Sequence, residues 1–145
     1  MSDTTSWLRR LDGKWVVDQL FEVPRLVPGA SWQPFRAGIE IFPLYGDHEG
    51  QHSVGPSAAL LRYGPGASVP AHEHPGYEHV VVLQGSQRDA QQTYFSGSFV
   101  ISEPGSTHAV ASDDGCVVLV IWNQPVSFLD TGSNAGEARR EGSEG

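Results

Sequence analysis

This 145-residue sequence has too few cysteines for an internal disulfide and no apolar stretch long enough for a membrane-spanning helix. Its single cysteine, Cys116, cannot form an internal disulfide, and no positively charged neighbour in sequence lowers its pKa, so we expect a buried, unreactive thiol. No stretch reaches the roughly 18 apolar residues that a membrane-spanning helix needs. The segment 1–11 lacks the apolar core of a signal peptide. These features predict a cytoplasmic protein without a membrane partner.

Positive charge is also scarce in this chain. The sequence has 9 Lys and Arg residues against 17 Asp and Glu residues, which gives a formal net charge of −8. An acidic surface repels the phosphate backbone of DNA and RNA, and the sequence contains no basic patch that would reverse this. We therefore expect no nucleic-acid partner.

The apolar residues do not recur with the period of a long helix. Glycine and proline are frequent, with 17 and 10 residues, and they separate short strand-like runs such as Ser57–Tyr63 and Cys116–Trp122. Short strands with regularly spaced turns predict an all-β sandwich or barrel. We divide the chain into an N-terminal extension of partly extended segments (1–34), a β-barrel (35–129) and a disordered polar tail (130–145).

Three further structural expectations follow from the same pattern. Residues 1–12 are expected to form a loose helical turn or to remain mobile, and residues 13–34, with three prolines, to form only short extended pieces. The strand Glu78–Gln84, which Gly85 is expected to end, and the strand Cys116–Trp122 are apolar on both faces. A strand that is apolar on both faces needs a second layer or another subunit over it, which favours a homodimer.

Three histidines and a glutamate form the strongest functional pattern. His72 and His74 are two residues apart, so on a strand both imidazoles project to one face. Glu78 follows the turn dipeptide at 75–76, and His108 comes from a separate hairpin, so all four side chains can reach one interior. Imidazoles combined with a carboxylate suit Zn²⁺, Fe²⁺, Mn²⁺ or Ni²⁺, but not Ca²⁺, which prefers oxygen ligands.

The spacing of these residues resembles the first cupin motif. Gly66 is followed by five residues and His72, by one residue and His74, by three residues and Glu78, and by six residues and Gly85. Every element of the motif is in register. Hairpin residues with ordinary polar roles would explain any one of these positions, but not their joint spacing.

A second motif of the same family is matched less closely. Gly97 precedes His108 and Ser112 with the spacing of the motif. Pro104 stands one position later than the proline of the motif, and Ser112 replaces its asparagine. Neither change removes a ligand position, although both concern the loop that carries His108.

The segment Phe35–Leu129 is similar to ChrR-type cupins, the zinc-binding C-terminal domains of ChrR-like anti-sigma factors. This resemblance implies a cupin double-stranded β-helix, or jelly-roll barrel, in which His72, His74, Glu78 and His108 bind one divalent metal. The segments that carry the likeness beyond the motifs are Leu44-Tyr45, Glu78–Asp89, Pro104–His108 and Gly115–Leu119.

The resemblance also implies two kinds of function. The same branch of cupins includes metal-dependent dioxygenases that cleave carbon–carbon bonds in acetylacetone or hydroxyacetophenones. The leading hypothesis is therefore an enzyme of this type that binds a small organic ligand in the barrel, with Glu78 as a metal ligand or a catalytic base. The alternative is a non-catalytic zinc-binding sensor or regulatory module. Direct inhibition of a sigma factor is not expected, because no separate zinc-binding helical domain is found in this sequence.

Metal identity depends on coordination geometry in either case. Four protein ligands leave up to two open positions in an octahedral site, which favours Fe²⁺ or Mn²⁺. A tetrahedral site is closed by the same four ligands, which favours structural Zn²⁺. Fe²⁺ and Zn²⁺ are the leading candidates, with Mn²⁺ and Ni²⁺ as alternatives.

Other polar and aromatic residues are weaker candidates. His79, adjacent to Glu78, is expected to face away from the interior as a structural or interface residue. His48 and His52 lie in a polar loop, where a solvated role is the ordinary one and a lid the functional alternative. Four aromatic residues are expected to line the interior or the core, namely Tyr63, Tyr77, Phe99 and Trp122. The charged residues Glu40 and Arg62 are candidates for a buried ion pair or for lining a pocket if their strands face inward.

Overall fold

A computed structural model describes residues 7–47 and 55–129 of the chain. These residues form twelve strands, one short α-helix (α1, Val23–Leu26) and two single-turn 3-10 helices, Leu20–Glu22 and Gly29–Ser31. The strands are β1 (Leu8–Leu11), β2 (Lys14–Val17), β3 (Gln33–Arg36), β4 (Ile39–Tyr45), β5 (Ser57–Tyr63), β6 (Ser68–Glu73), β7 (Glu78–Arg88), β8 (Thr93–Phe95), β9 (Phe99–Ser102), β10 (Thr107–Ala111), β11 (Cys116–Trp122) and β12 (Ser127–Phe128).

Strand β7 connects the two halves of the main sheet. Its first half pairs with β11 and β9, and its second half pairs with β8 and meets β10. The main path of the sheet runs β12-β6-β10-β7-β11-β5-β4-β3, and these pairs are antiparallel. The sheet curls into a half-barrel. This confirms the predicted all-β fold class with its jelly-roll topology.

The prediction that β7 ends at Gly85 is wrong, because the strand continues to Arg88. Gly85 has a φ angle of +77°, which glycine adopts without strain, and a Cβ there would lie 2.2 Å from the carbonyl oxygen of Gly115. The pairing of β7 with β11 changes register close by, because Val117 lies opposite Gln84 and Val118 opposite Val82, which leaves Leu83 as the extra residue of a bulge. Gly85 lets β7 continue past this bulge.

The inner face of the half-barrel carries the main apolar core. Most of its members lie at alternate positions of β4, β5, β7 and β11, as the period of two along a strand requires. Cys116 is buried in this core as a free thiol, as predicted. The buried members are Ile39, Ile41, Ala59, Leu61, Tyr63, Val80, Val82, Val110, Cys116, Val118 and Val120.

A second core covers part of the outer face of the same sheet. It is built by apolar side chains of the N-terminal segment packed against β5, β7 and β11. The chain itself thus supplies a second layer over strands that are apolar on both faces, so this pattern alone does not require another subunit. The buried members are Trp7, Val23, Val27, Trp32, Leu60, Leu83 and Val117.

Two expectations for the N-terminal segment are corrected by the fold. Strand β1 is extended and pairs with β2 in an antiparallel hairpin, although residues 1–12 were expected to form a helical turn or to be mobile; β2 is one of the short extended pieces expected after residue 12. The segment 20–31 is helical in three short turns, although its prolines suggested extended pieces. Pro24 lies in the first turn of α1, where a residue without an N–H group breaks no helical hydrogen bond.

Some sequence predictions concern residues outside the described ranges. These are the polar tail 130–145 and the loop histidines His48 and His52. Within residues 7–47 and 55–129, the helices are too short and too polar to cross a membrane.

From the packing of the outer core we predict how much a substitution in the N-terminal layer lowers the free energy of unfolding. Val23 is fully buried, so we expect Val23→Ala to lower the free energy of unfolding by about 2 kcal/mol, measured by urea denaturation. Leu11→Ala is the control, because Leu11 is exposed, and a loss below about 1 kcal/mol is expected there. Equal losses in the two variants would show that the N-terminal layer is not packed as described.

The environment of Cys116 predicts its reactivity. Burial raises the pKa of the Cys116 thiol to about 11, against a smaller opposite effect of Ser112. Only the thiolate reacts readily with disulfide reagents, so the native protein should barely react with Ellman's reagent at pH 8. The same protein unfolded in guanidinium should release one equivalent of chromophore. Rapid release from the native protein is the contrary result.

Candidate metal centre

The half-barrel encloses a cavity of about 680 Å³. Inward-facing apolar residues of the strands, such as Leu61, Val80 and Val120, form much of its wall. Polar side chains predicted as metal ligands enter the same cavity, namely His72, Glu78 and His108. The cavity therefore joins an apolar chamber to a cluster of ligating groups, as is usual for small-molecule sites.

His72 lies at the centre of a row of three rings. It pairs directly with His108 on β10 and with Phe128 on β12, because β6 lies between these two strands. The ring centres of His72 and His108 are 4.7 Å apart, and those of His72 and Phe128 are 5.7 Å apart. The cross-strand register thus brings His72 and His108 together, as the sequence pattern required.

His74 follows directly after β6 and is almost completely buried. Its backbone N–H donates to the carbonyl of Ser106, and its own carbonyl accepts from Gly105. These hydrogen bonds tie the end of β6 to the loop before His108. The ring centres of His74 and His108 are consequently 4.5 Å apart.

Hydrogen bonds select which nitrogen of each imidazole carries the proton. The Nδ1 atom of His72 lies 2.8 Å from the carbonyl oxygen of Pro70, which can only accept, so Nδ1 is the protonated nitrogen. The hydroxyl of Ser106 donates to the carbonyl of Glu103, and its oxygen lies 3.0 Å from Nδ1 of His74. That oxygen accepts the Nδ1 proton of His74. In both residues the lone pair is therefore left on Nε2.

The three histidines each offer one nitrogen, and these nitrogens all lie within 4.8 Å of one another. The Nε2 atom of His74 is buried and has no hydrogen-bond partner among the described residues. An unsatisfied buried nitrogen is costly, and a metal ion would satisfy it. His72, His74 and His108 can thus hold a metal ion.

Glu78 lies beside this triad at the start of β7. Its Oε1 atom is 3.3 Å from Nε2 of His74 and 3.8 Å from Nε2 of His108. Its Oε2 atom accepts a hydrogen bond of 2.9 Å from the indole N–H of Trp122, the residue opposite Glu78 on β11. One oxygen is therefore held by the barrel wall while the other faces the histidines. The sequence pattern did not indicate this role for Trp122.

The ionisation of the cluster suits a cation. Burial lowers the pKa of His72 to about 4 and also lowers the pKa of His108, so both rings are neutral at pH 7. For Glu78, burial opposes ionisation, but the adjacent His74 and, less strongly, His72 and His108 lower its pKa overall. Neutral imidazoles with a carboxylate are the protonation states in which these groups bind metals.

The two departures from the second motif do not displace the loop. The turn at Pro104-Gly105 remains bonded to β6, since the N–H of Gly105 donates to the carbonyl of His74 at 2.7 Å. Ser112 is fully buried, and its hydroxyl donates to the carbonyl of Ser86 at 2.6 Å. Ser112 thus joins the end of β10 to the second half of β7.

The weaker candidates lie away from the cluster. His79 is on the outer face of β7, as predicted, between the rings of Tyr77 and Phe99, whose centres are 6.2 and 5.9 Å from its own. Tyr77 and Phe99 are exposed there, so the prediction that they line the interior is wrong. Tyr63 and Trp122 do line the cavity.

Glu40 and Arg62 form a cross-strand ion pair between β4 and β5. The Nε atom of Arg62 donates to Glu40 Oε1 at 2.8 Å, and both side chains are partly exposed. The guanidinium also lies over the ring of Trp32, 4.7 Å from its centre. This pair stabilises the outer layer and does not line the cavity of the histidine cluster.

A curled antiparallel half-barrel with three clustered histidines and a glutamate at its interior cavity defines the cupin class. Residues 27–126 match the family model described as the ChrR Cupin-like domain. This chain belongs to that family, which confirms the resemblance seen in the sequence.

A curated relative is the anti-sigma-E factor ChrR of Cereibacter sphaeroides. It is 27% identical over 124 residues, and the match covers 83% of this chain and 54% of the relative. The chain therefore spans about half the length of this protein.

Solved structures share the fold. The structure of Rhodobacter sphaeroides SigE in complex with the anti-sigma ChrR matches with a TM-score of 0.53 and 27% identity, covering 63% of this chain and 47% of that chain. An acetylacetone dioxygenase from Acinetobacter johnsonii matches with a TM-score of 0.63 and 17% identity, covering 77% of this chain and 78% of that chain. The second likeness, at this identity, concerns the fold alone.

The hydrogen bonds around the imidazoles predict their tautomers. In the metal-free protein at pH 7, long-range ¹H–¹⁵N NMR should show His72 and His74 with the proton on Nδ1. Ser106→Ala removes the acceptor for His74 and should weaken this preference at His74 while leaving His72 unchanged. Ser127→Ala, on an exposed residue of β12, is the matched control. A His74 ring protonated on Nε2 in the unaltered protein would contradict the arrangement.

Proposed function

We propose that this chain binds one divalent transition metal through His72, His74, His108 and Glu78, and that it is an enzyme acting on a small organic substrate in the adjoining cavity. The observation that carries the metal site is the convergence of three imidazole nitrogens within 4.8 Å, one of them buried without a hydrogen-bond partner among the described residues. Fe²⁺ and Zn²⁺ fit this donor set best, and Mn²⁺ and Ni²⁺ also accept it.

The cavity supports catalysis over a purely structural role. A structural zinc site is closed by its protein ligands, whereas a catalytic site keeps a position open to substrate. Here His72, Glu78 and His108 line a chamber of about 680 Å³, so a small molecule entering it reaches the ligands directly. A divalent ion held there supplies a Lewis acid that polarises a substrate oxygen.

Glu78 has two roles open to it, as a metal ligand and as a base. Trp122 holds its Oε2 atom, which limits the carboxylate to small movements about that contact. Its Oε1 atom lies at the triad, and the lowered pKa keeps it ionised at neutral pH. The same oxygen can therefore complete the metal site or accept a proton from a bound substrate.

The reaction class proposed is cleavage of a carbon–carbon bond in a β-diketone or an aromatic ketone, with dioxygen as the oxidant whose atoms enter the products. The support is a fold shared with the acetylacetone dioxygenase, at an identity that carries no function by itself, together with the open cavity. A ketone oxygen has the size and polarity to approach a metal beside Glu78. The apolar wall formed by residues such as Leu61 and Val80 suits the carbon skeleton of such compounds.

The second candidate is a non-catalytic zinc-binding sensor or regulatory module. It is favoured by membership of the ChrR Cupin-like family and by the match to a longer anti-sigma factor, of which the match covers 54%. In that role the four ligands would close the site, and the cavity would carry a regulatory ligand or none. Another protein would then be the partner, in place of a substrate.

For the domain organisation, we propose that residues 35–129 form the barrel domain and that the preceding extension serves as its outer layer. The burial of Trp7 and Val23 against the back of the sheet supports this division. The proposed assembly is a homodimer that forms through the outer-face aromatic residues Tyr77 and Phe99, which are exposed.

Metal content tests the ligand assignment. The purified protein, stripped and reloaded with Zn²⁺ or anaerobically with Fe²⁺, should hold one ion per chain by plasma emission spectroscopy. His108→Ala should lose most of this binding, because it removes one of three convergent imidazoles. His79→Ala is the matched control and should retain it, since His79 lies on the outer face. Stoichiometric metal in His108→Ala would remove that residue from the site.

Oxygen uptake separates the two functions. Fe²⁺-loaded protein should consume oxygen with a compound from a panel of β-diketones and hydroxyacetophenones, and Glu78→Gln should lower the rate at least tenfold while still folding. Metal binding without turnover on any of these compounds would favour the sensor over the enzyme.

A further inference from the structure

Arg36 places a positive charge at the solvent-exposed end of the cavity. It is the last residue of β3 and lines the cavity together with Phe128. The central carbon of its guanidinium lies 4.2 Å from the centre of the Phe128 ring, which is the geometry of a cation–π contact. This contact holds the guanidinium beside Phe128 at the cavity wall.

Arg36 differs from four other arginines of the chain in having no carboxylate partner. No acidic residue within 7–47 or 55–129 forms an ion pair with it, and its contacts are with aromatic rings. The paired arginines are Arg9 with Asp18, Arg25 with Glu22, Arg62 with Glu40 and Arg88 with Asp113.

The groups around Arg36 do not neutralise it. Tyr63 is the ionisable residue that acts on it most directly, and burial raises the pKa of Tyr63, so that phenol is uncharged. Burial lowers the pKa of Arg36, yet a guanidinium stays protonated at neutral pH. Of the acidic residues at the cavity, Glu78 is held at the histidine cluster and Asp47 has a partner of its own.

We propose that the cavity binds a small organic acid, whose carboxylate pairs with Arg36 at the entrance while its carbon skeleton lies along the apolar wall toward the histidines. An arginine fork matches a carboxylate with two parallel hydrogen bonds. This inference rests on the proposed small-molecule function of the cavity and narrows its ligand class to keto acids and related carboxylates.

The position of Phe128 indicates how far apart the carboxylate and the second oxygen of such a ligand must be. Its ring touches Arg36 on one side, and its centre is 5.7 Å from the centre of the His72 ring. A ligand with a carboxylate on Arg36 therefore needs only a short chain before a second oxygen reaches the histidine cluster. A 4-oxo acid has this arrangement of a carboxylate, a short chain and a ketone oxygen.

Calorimetric titration with 3-benzoylpropanoate and its uncharged amide tests the inference, with metal-free and Zn²⁺-loaded protein. The acid should bind the unaltered protein at least tenfold more tightly than the amide. Arg36→Gln should weaken binding of the acid about tenfold to hundredfold and leave the amide unchanged, because a charged pair of hydrogen bonds is lost. Arg36→Lys should keep part of the preference, and Arg25→Gln, at an exposed ion pair outside the cavity, should keep all of it.

The outcomes separate this inference from the metal site. A preference for the acid that survives Arg36→Gln, equal binding of acid and amide, or no binding of the acid to the unaltered protein would each overturn it. If the protein binds no metal but the metal-free form shows the preference that depends on Arg36, the inference stands and the metal proposal fails. Thermal unfolding of each variant checks that a loss of binding is not a loss of fold.

Discussion

The arrangement around His74 is the constraint on which the rest of the site depends. Its imidazole is almost completely buried, and its Nδ1–H donates a hydrogen bond to the hydroxyl oxygen of Ser106. Its Nε2 atom has no hydrogen-bond partner among the described residues. Leaving such a nitrogen in the interior costs free energy unless an ion or a water satisfies it. The backbone hydrogen bonds of His74 to Ser106 and Gly105 tie the loop before His108 to the end of β6 and so place the two imidazoles side by side.

The main sheet carries one apolar core on each of its two faces. The second core explains how a small barrel can keep an open cavity on its inner face. Side chains on one face of β5, β7 and β11 line the interior, and those on the other face pack under the N-terminal segment. A domain of this size has a limited interior, and part of it here is given to a chamber and polar ligands. The outer layer offsets that loss by burying Trp7, Val23 and Trp32 against the back of the sheet.

Family membership and the cavity answer different questions about this protein, the first about its fold and the second about how its site is used. Membership of the ChrR Cupin-like family accounts for the fold and for the two motifs, and it is compatible with both a catalytic and a regulatory site. What distinguishes these uses is the chamber in front of the ligands and the groups that line it. Trp122 holds the carboxylate of Glu78, and Arg36 adds to the cavity lining a charge without a carboxylate partner among the described residues.

The sequence by itself determined the all-β class, the bounds of strands such as Ser57–Tyr63 and Cys116–Trp122, and the candidate ligand residues. Strand alternation and motif spacing are local properties, so His72, His74, Glu78 and His108 could be selected from their spacing along the chain. Only the tertiary structure decided what depends on contacts between distant segments. Three features follow from how the N-terminal segment and β11 pack against the sheet. They are the hairpin β1–β2, the helical turns near Pro24 and the continuation of β7 beyond Gly85. The roles of Ser106, Trp122 and Arg36 likewise follow from cross-strand neighbours and cavity shape, which sequence spacing does not record.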